Sequence, residues 1–206
     1  MGVTERKERG KQELHALILQ AARQIFLEEG YEKTSIRKIA ERIEYSPATI
    51  YLHFKDKNDL LLALHREAFQ HFYQNLLSVA EIQDAFDRLE TIGKRYIQYG
   101  LDNPSEYELM FVLIAPMDAL DCREEIWNDG RIALDILKKI LIDCVTAGYF
   151  RSTLDIEAAS IMLWSQVHGI TSLHLHNRFC MLDETARIEL PRRAFQLMLD
   201  TVKKSW

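Results

Sequence analysis

An all-α fold is what this 206-residue sequence predicts, with a small three-helix unit at the amino end joined through one long helix to a larger helical domain. Three observations carry that expectation. Apolar residues recur at i, i+3 and i+4 along one segment after another, and no stretch sustains the alternation of a strand. Asn103-Pro104, Pro116, Gly148 and Pro191 then punctuate the second half into pieces of helical length, without internal repeats or low-complexity tracts.

In the first helix, Leu14, Leu17, Ile18, Ala21, Ala22, Ile25 and Phe26 hold the repeat over three turns, and Gly30 stands where a C-terminal cap belongs. The basic arm ahead of it, Arg6, Lys7, Arg9 and Lys11, reads as a solvated tail. Ile36, Ile39, Ala40 and Ile43 form the buried stripe of a second helix. Ser46 is a good N-cap and Pro47 suits the first helical position, where its missing N–H is not needed, so a third short helix starts there. Ile50 and Phe54 face inward from it, which leaves Ala48, Thr49, Tyr51, Leu52 and His53 on the other sides.

Asp56 followed by Asp59 resembles a capping arrangement, because a carboxylate satisfies the orphan N–H groups and the positive end of a helix dipole. A fourth helix is therefore expected from Lys57 to about Ser78, with Leu60, Leu61, Leu64, Ala68, Phe69, Phe72, Tyr73 and Leu76 as its apolar band. About 20 residues of helix span about 30 Å, too long to serve the small unit alone. The pattern places a first domain at 1–56 and a second at 57–206, linked by helix 57–78. Further helices are expected over 84–102, 104–115, 123–148, 156–178 and 191–204.

Three cysteines, Cys122, Cys144 and Cys180, are odd in number and widely spaced, which suggests neither a disulfide framework nor a zinc module. The amino terminus is charged and lacks a secretory apolar run, so a reducing cytoplasm is the expected location. Residues 158–177 lack Asp, Glu, Lys and Arg, yet Ser160, Ser165, Gln166, His168, Thr171, Ser172, His174, His176 and Asn177 would all need partners in lipid; a core or interface helix is expected there, not a membrane span. The first 60 residues carry 11 Lys+Arg against 10 Asp+Glu, and the remainder 15 against 21. So even a balance argues against a promiscuous polyanion binder, and recognition must be local and geometric.

The run from Thr34 through Arg37, Ile39, Ala40, Ser46, Thr49, Ile50, Tyr51, His53, Phe54, Lys57 and Leu60 closely resembles the helix-turn-helix of the tetracycline repressor (TetR) family of bacterial transcription regulators. Asn103-Pro104 with Tyr107, Met110 and Phe111, and Trp164 with His168-Gly169, resemble one C-terminal type in that family. The chain departs from the pattern at Glu44, where family members usually carry Gly, and at Tyr45, where most have a smaller aliphatic residue. The resemblance implies a ligand-responsive regulator, usually a repressor, that binds an inverted-repeat operator as a homodimer and is released by a small apolar or aromatic effector.

The implied DNA-facing set is Thr34, Ser35, Arg37, Lys38, Ser46, Pro47, Ala48, Thr49, Tyr51, His53, Lys55 and Lys57. Arg37 would approach a guanine edge or a phosphate, Thr49 and Tyr51 would offer hydroxyls, and Ala48 would touch a thymine methyl. Ser46, His53, Lys55 and Lys57 would hold phosphates. The implied effector cavity draws on Phe69, Phe72, Tyr73, Tyr96, Tyr107, Met110, Phe111, Trp127, Trp164 and His168, with Phe86 and Tyr99 as further aromatic candidates. A dimer seam is expected on the last two long helices, at Trp164, Val167, Thr171, Leu175, Phe195, Met198, Leu199 and Val202.

Other function classes lack their instruments. G-x-S-x-G, G-x-x-x-x-G-K, G-x-G-x-x-G and H-E-x-x-H are absent, and the acidic cluster Asp118, Asp121, Glu124 and Glu125 has no matching base. No cofactor is therefore expected. His174 and His176, two apart on a helix, point about 200° from each other and make a poor chelating pair. The remaining rival keeps the same fold as a protein-binding adaptor without DNA.

Overall fold

The computed structural model describes residues 2–113 and 124–206. Among them are α1 (Val3–Glu29), α2 (Ile36–Arg42), α3 (Pro47–Tyr51), α4 (Lys57–Leu77), α5 (Ala85–Asp102), α6 (Pro104–Phe111), α7 (Glu124–Thr146), α8 (Ile156–Leu175) and α9 (Glu184–Ser205), with no strand. These helices fall into two compact units. The first holds α1, α2, α3, α4 as far as Gln70, and α6 from Ser105; the second holds the end of α4 from His71, α5, α7 from Asp129, α8 and α9.

In the first unit, Ile18, Ala22, Phe26, Ile39, Ala40, Ile50, Leu60, Leu61 and Leu64 are wholly buried. Burying each of the larger side chains stabilises the fold by about 1.5–3 kcal/mol, which lets a five-residue helix such as α3 exist at all. Helix ends follow the expected chemistry. Gly30 takes φ 80° and donates its N–H to the Phe26 carbonyl (2.9 Å), closing α1. Asp56 accepts the N–H groups of Asn58 and Asp59 (both 2.9 Å), while Asp59 accepts the Lys55 N–H (3.0 Å). That reciprocal cap sets where α4 begins.

Charge and aromatic contacts draw α6 onto α1 and α4. Arg23 of α1 bonds Glu67 of α4 at 2.7 Å and reaches Glu106 of α6 at 4.0 Å. Buried His65 of α4 donates to the Leu109 backbone, its Nδ1 has no partner among the described residues, and burial depresses its pKa.

In the second unit, α5 packs along α8. Gly93 is the residue that permits the approach of α9. A Cβ there would lie 2.6 Å from the Phe195 ring and 3.6 Å from Val167. Leu163 and Val167 of α8 and Leu199 and Val202 of α9 are buried as well.

Several expected boundaries move. The basic arm is not an irregular tail, for α1 extends back to Val3, although the side chains from Thr4 to Glu13 remain exposed. Helix 104–115 ends at Phe111, residues 114–123 lying outside the described set together with Pro116 and Cys122, and α8 ends at Leu175, three residues short of 178. The largest change is at Pro191, expected as a break. Asp183 caps α9 by accepting the Ala186 N–H (2.9 Å), and the helix runs through Pro191 with one i→i−4 bond missing. No helix among the described residues is long and apolar enough to cross a membrane.

Candidate nucleic-acid interface

Two serines set the frame of the exposed surface. Ser35 accepts the Lys38 N–H (3.3 Å) and Ser46 accepts the Thr49 N–H (3.2 Å), so each of the two short helices begins on a side-chain cap. Between them the chain turns through Glu44 at φ 60°, and the Tyr45 N–H returns to the Ala40 carbonyl at 2.9 Å. This is the left-handed conformation that glycine adopts freely and a glutamate reaches at about 1 kcal/mol. Buried Ile50 and Phe54 then pin α3 from beneath.

With that face fixed inward, Ala48 is exposed, Tyr51 is 57% exposed and Leu52 80% exposed. Ser35, Arg37, Lys38, Ser46, Pro47 and Lys55 are exposed too, and Thr49 and His53 are half-buried. Arg37 rests in an exposed pair with Glu41 (2.9 Å), and Lys38 pairs with Glu29. Exposed pairs of this kind hold by about 0–1 kcal/mol, which leaves both cations free to exchange partners. Ser46 and Thr49 share a hydrogen bond (2.9 Å), which orients both hydroxyls along the helix start.

Two members of the expected set are corrected. Thr34 is buried, its hydroxyl donating to the Gly30 carbonyl at 2.8 Å, and so it closes the α1–α2 corner and does not face a groove. Lys57 turns its ammonium toward the chain itself. Its ammonium donates to the carbonyls of Tyr31 (3.0 Å) and Thr34 (3.4 Å) and sits 4.0 Å above the Tyr31 ring centre, while the Tyr31 hydroxyl bonds Asn58. Such charge-assisted bonds to backbone tie α4 to the loop before α2.

The exposed surface also includes residues outside the expected DNA-facing set. Tyr45 and Leu52 extend the exposed apolar surface around α3; Leu52 lies off the Ile50–Phe54 stripe, a signal present in the spacing. His15 of α1 brings its ring to 6.0 Å from His53 and 4.7 Å from Phe54, a proximity that no local pattern announces. Burial first, then the positive charges of His15 and Lys11, hold His53 below the usual histidine range.

The aromatic candidates separate into two groups. In the first unit, Phe69 meets Phe111 edge-on (5.7 Å) and Phe111 meets Tyr107 (5.1 Å), with Met110 buried nearby in sequence. In the second unit, Phe72 packs on Tyr96 (5.4 Å) and Tyr99 (5.1 Å). Trp164 Nε1–H donates to the Tyr96 hydroxyl (3.2 Å), which lies 3.1 Å from His168 Nδ1. Burial lowers the His168 pKa, so the neutral ring accepts the Tyr96 O–H and the three polar groups form one directed chain. Tyr73 is half-buried, the Trp127 side chain lies outside the described residues, and Phe86 is core, packed against a tilted Tyr149 and an edge-on Phe150 under Lys203. Burial pushes the Cys144 thiol up to about 12, which leaves it inert as a nucleophile.

Residues 18–64 match the family model described as bacterial regulatory proteins of the tetR family, and residues 89–202 match the tetracyclin repressor-like C-terminal domain. The chain belongs to the TetR family of transcriptional regulators. Among its curated TetR-like relatives, the Bacillus subtilis fatty acid metabolism regulator protein is 26% identical over 151 residues, covering 73% of this chain and 77% of the relative. The transcriptional repressor AcnR of Corynebacterium efficiens is 27% identical over 163 residues, 75% of this chain and 78% of AcnR. Solved structures agree in fold: FadR of Bacillus halodurans superposes with a TM-score of 0.71 at 24% identity, covering 90% of this chain and 94% of that one. FadR of Bacillus subtilis, solved with stearoyl-CoA, gives 0.70 at 20% identity, over 89% and 97%.

For this TetR-family chain the residues expected at a dimer seam divide by burial. Val167, Thr171, Phe195, Leu199 and Val202 are buried within the single chain, and Trp164, Leu175 and Met198 are half-buried. The apolar side chains left on the surface of these helices are different: Ile161, Met162 and Leu173 on α8, and Ile188, Leu190 and Leu197 on α9. On α9, Leu190, Ala194, Leu197 and Thr201 recur at i, i+4, i+7 and i+11, a second stripe beside the buried one.

Proposed function

We propose that this TetR-family regulator binds an inverted-repeat operator as a homodimer and is released from it by a small effector with a substantial apolar part. The observation that carries the reading is the α3 surface. A five-residue helix anchored by Ile50 and Phe54 presents Ala48, Tyr51 and Leu52 to solvent, flanked by Arg37, Lys38 and Lys55. That combination supplies hydroxyl and apolar contacts for base edges with cations at the margins for phosphates.

One such helix reads few base pairs, and two reading heads must fall about 34–36 Å apart to enter successive major grooves. The outward stripes Ile161–Met162–Leu173 and Leu190–Leu197 support a seam between copies on the surface faces of α8 and α9. The Phe72–Tyr96–Trp164–His168 cluster supports an apolar site with a few directed polar groups, the usual make-up of a ligand pocket. A fatty acyl chain is the favoured class, supported by the Bacillus subtilis relative's name and by the stearoyl-CoA bound to its FadR structure. Because α4 runs from one unit into the other, a shift at its His71–Leu77 end reaches the reading head through continuous helix.

Selection from a randomised duplex library followed by gel retardation tests this reading. An enriched inverted repeat is expected, bound by two chains and released with about 5- to 150-fold loss of affinity when stearoyl-CoA is added. Failure to enrich any sequence, or binding by one chain alone, contradicts it.

A further inference from the structure

Beside the reading head lies a cluster of groups that the sequence pattern does not connect. His15 and His53 face each other at 6.0 Å between ring centres, near enough for one phosphate group to accept from both. Lys11 stands one helical turn before His15 and is exposed, and Lys55 is exposed two residues beyond His53. Phe54, buried under His15 with rings 4.7 Å apart, sets where the His15 ring stands. His53 itself directly follows Tyr51 and Leu52, so this cluster continues the exposed surface of α3.

We propose that His15 and His53, with Lys11 beside them, clamp a backbone phosphate of duplex DNA and take up protons as they do so. The inference rests on the DNA-binding reading above and assigns to that interface a regulatory variable, pH, and a residue of α1. A positive charge on His53 is opposed by burial first and then by the charges of His15 and Lys11. His53 is accordingly held below the usual histidine range in the free protein. A phosphate placed between the rings reverses the balance, since its negative charge favours the protonated form of both.

The other charges near the cluster do not supply that anion. On α1, Glu8 lies two turns before His15 on the same face with Lys7 and Lys11 around it, and Arg9 pairs with Glu13. At the start of α4, Asp56 and Asp59 accept the cap N–H groups of Asn58, Asp59 and Lys55. On α2, Arg37 pairs with Glu41, Lys38 with Glu29 and Arg42 with Glu28, and the α2–α3 turn carries exposed Glu44. Apart from exposed Glu8 and Glu44, these carboxylates are held in caps and ion pairs, so the proposed anion comes from outside the chain.

The linkage has a definite sign. Each histidine has a higher pKa in the complex than in the free protein, so affinity rises as pH falls from about 8 to about 6, by up to tenfold per pH unit for each histidine. The test measures binding of the library-selected duplex by fluorescence anisotropy across that range, for the wild type, His15→Gln and Lys11→Gln, each checked for an unchanged melting profile. We expect a wild-type gain of at least tenfold, a pH slope about halved in His15→Gln, and in Lys11→Gln weaker binding with a salt slope lower by about one but the pH slope retained. A wild type that binds the duplex with the same affinity throughout, or a His15→Gln protein that keeps the full pH slope, overturns the clamp and leaves the DNA-binding reading standing. Absence of any selected duplex at both ends of the range removes both.

Discussion

Gly93→Ala is the most informative single change in the second unit, because it asks whether Phe195 lies in the chain's own core. A Cβ at this position would sit 2.6 and 2.7 Å from two carbons of the Phe195 ring, so the ring or helix α5 must give by most of an ångström. Phe195 is 5% exposed, and Val167 stands 3.6 Å from the same point, which leaves little room to yield. Overpacking of this kind destabilises by about 1–3 kcal/mol, and replacing a helical glycine by alanine returns about 0.8–1 kcal/mol. The expected net loss is about 1 kcal/mol, or a melting point lower by about 2–4 °C for a domain of this size. Urea and thermal unfolding at one fixed protein concentration measure it, since the proposed association of two chains would make stability concentration-dependent.

The cycle with Phe195→Leu sharpens the result. The smaller side chain should relieve the clash, so the double variant loses about 1 kcal/mol less than the sum of the singles. Were Gly93→Ala to gain the whole propensity increment, with no coupling to residue 195, Phe195 would not occupy the place on α5 that excludes it from an intersubunit seam.

Three further outcomes follow from the geometry. Glu44→Gly should raise stability by about 0.5–1 kcal/mol, because the φ of 60° is then adopted without Cβ strain; a loss on chemical denaturation would contradict the strain. Lys57→Met should lower stability by about 1–3 kcal/mol through loss of its bonds to the Tyr31 and Thr34 carbonyls, while the salt slope of DNA binding stays as in the wild type; a slope lower by one would return Lys57 to the phosphates. His168 is held neutral by burial, so below about pH 6.5 the unfolded chain takes up a proton that the folded chain refuses. Stability should therefore fall as pH drops from there toward the depressed folded value, and His168→Gln should show a shallower acid decline.

Much of the first unit was legible because its instructions are short-range. The Ser46-Pro47 start, the Asp56/Asp59 cap and Gly30 each act within four residues, and each does locally what its chemistry implies. Direction was the harder quantity. Thr34 and Lys57 are polar residues in a polar stretch, and nothing in their type says that their partners are the chain's own carbonyls. On α9 the apolar residues Phe195, Leu197, Met198, Leu199 and Val202 support two overlapping stripes. Only Gly93, about a hundred residues away in sequence, reveals that the Phe195 side faces α5. His15 and His53 are likewise brought together by packing of α1 against the loop after α3, which periodicity within either helix does not encode.

In the proposed reading the exposed face of α3 reads duplex DNA, while buried Thr34 only holds the corner between α1 and α2. Its most direct measurement is the affinity of Tyr51→Ala and Thr34→Val for the selected operator against an unrelated duplex, with folding verified for each. Tyr51→Ala should keep its melting point and lose at least about tenfold of its preference for the operator, whereas Thr34→Val should lose stability and keep the preference per folded molecule. An operator preference untouched by Tyr51→Ala, or abolished by Thr34→Val in the folded protein, would contradict the account.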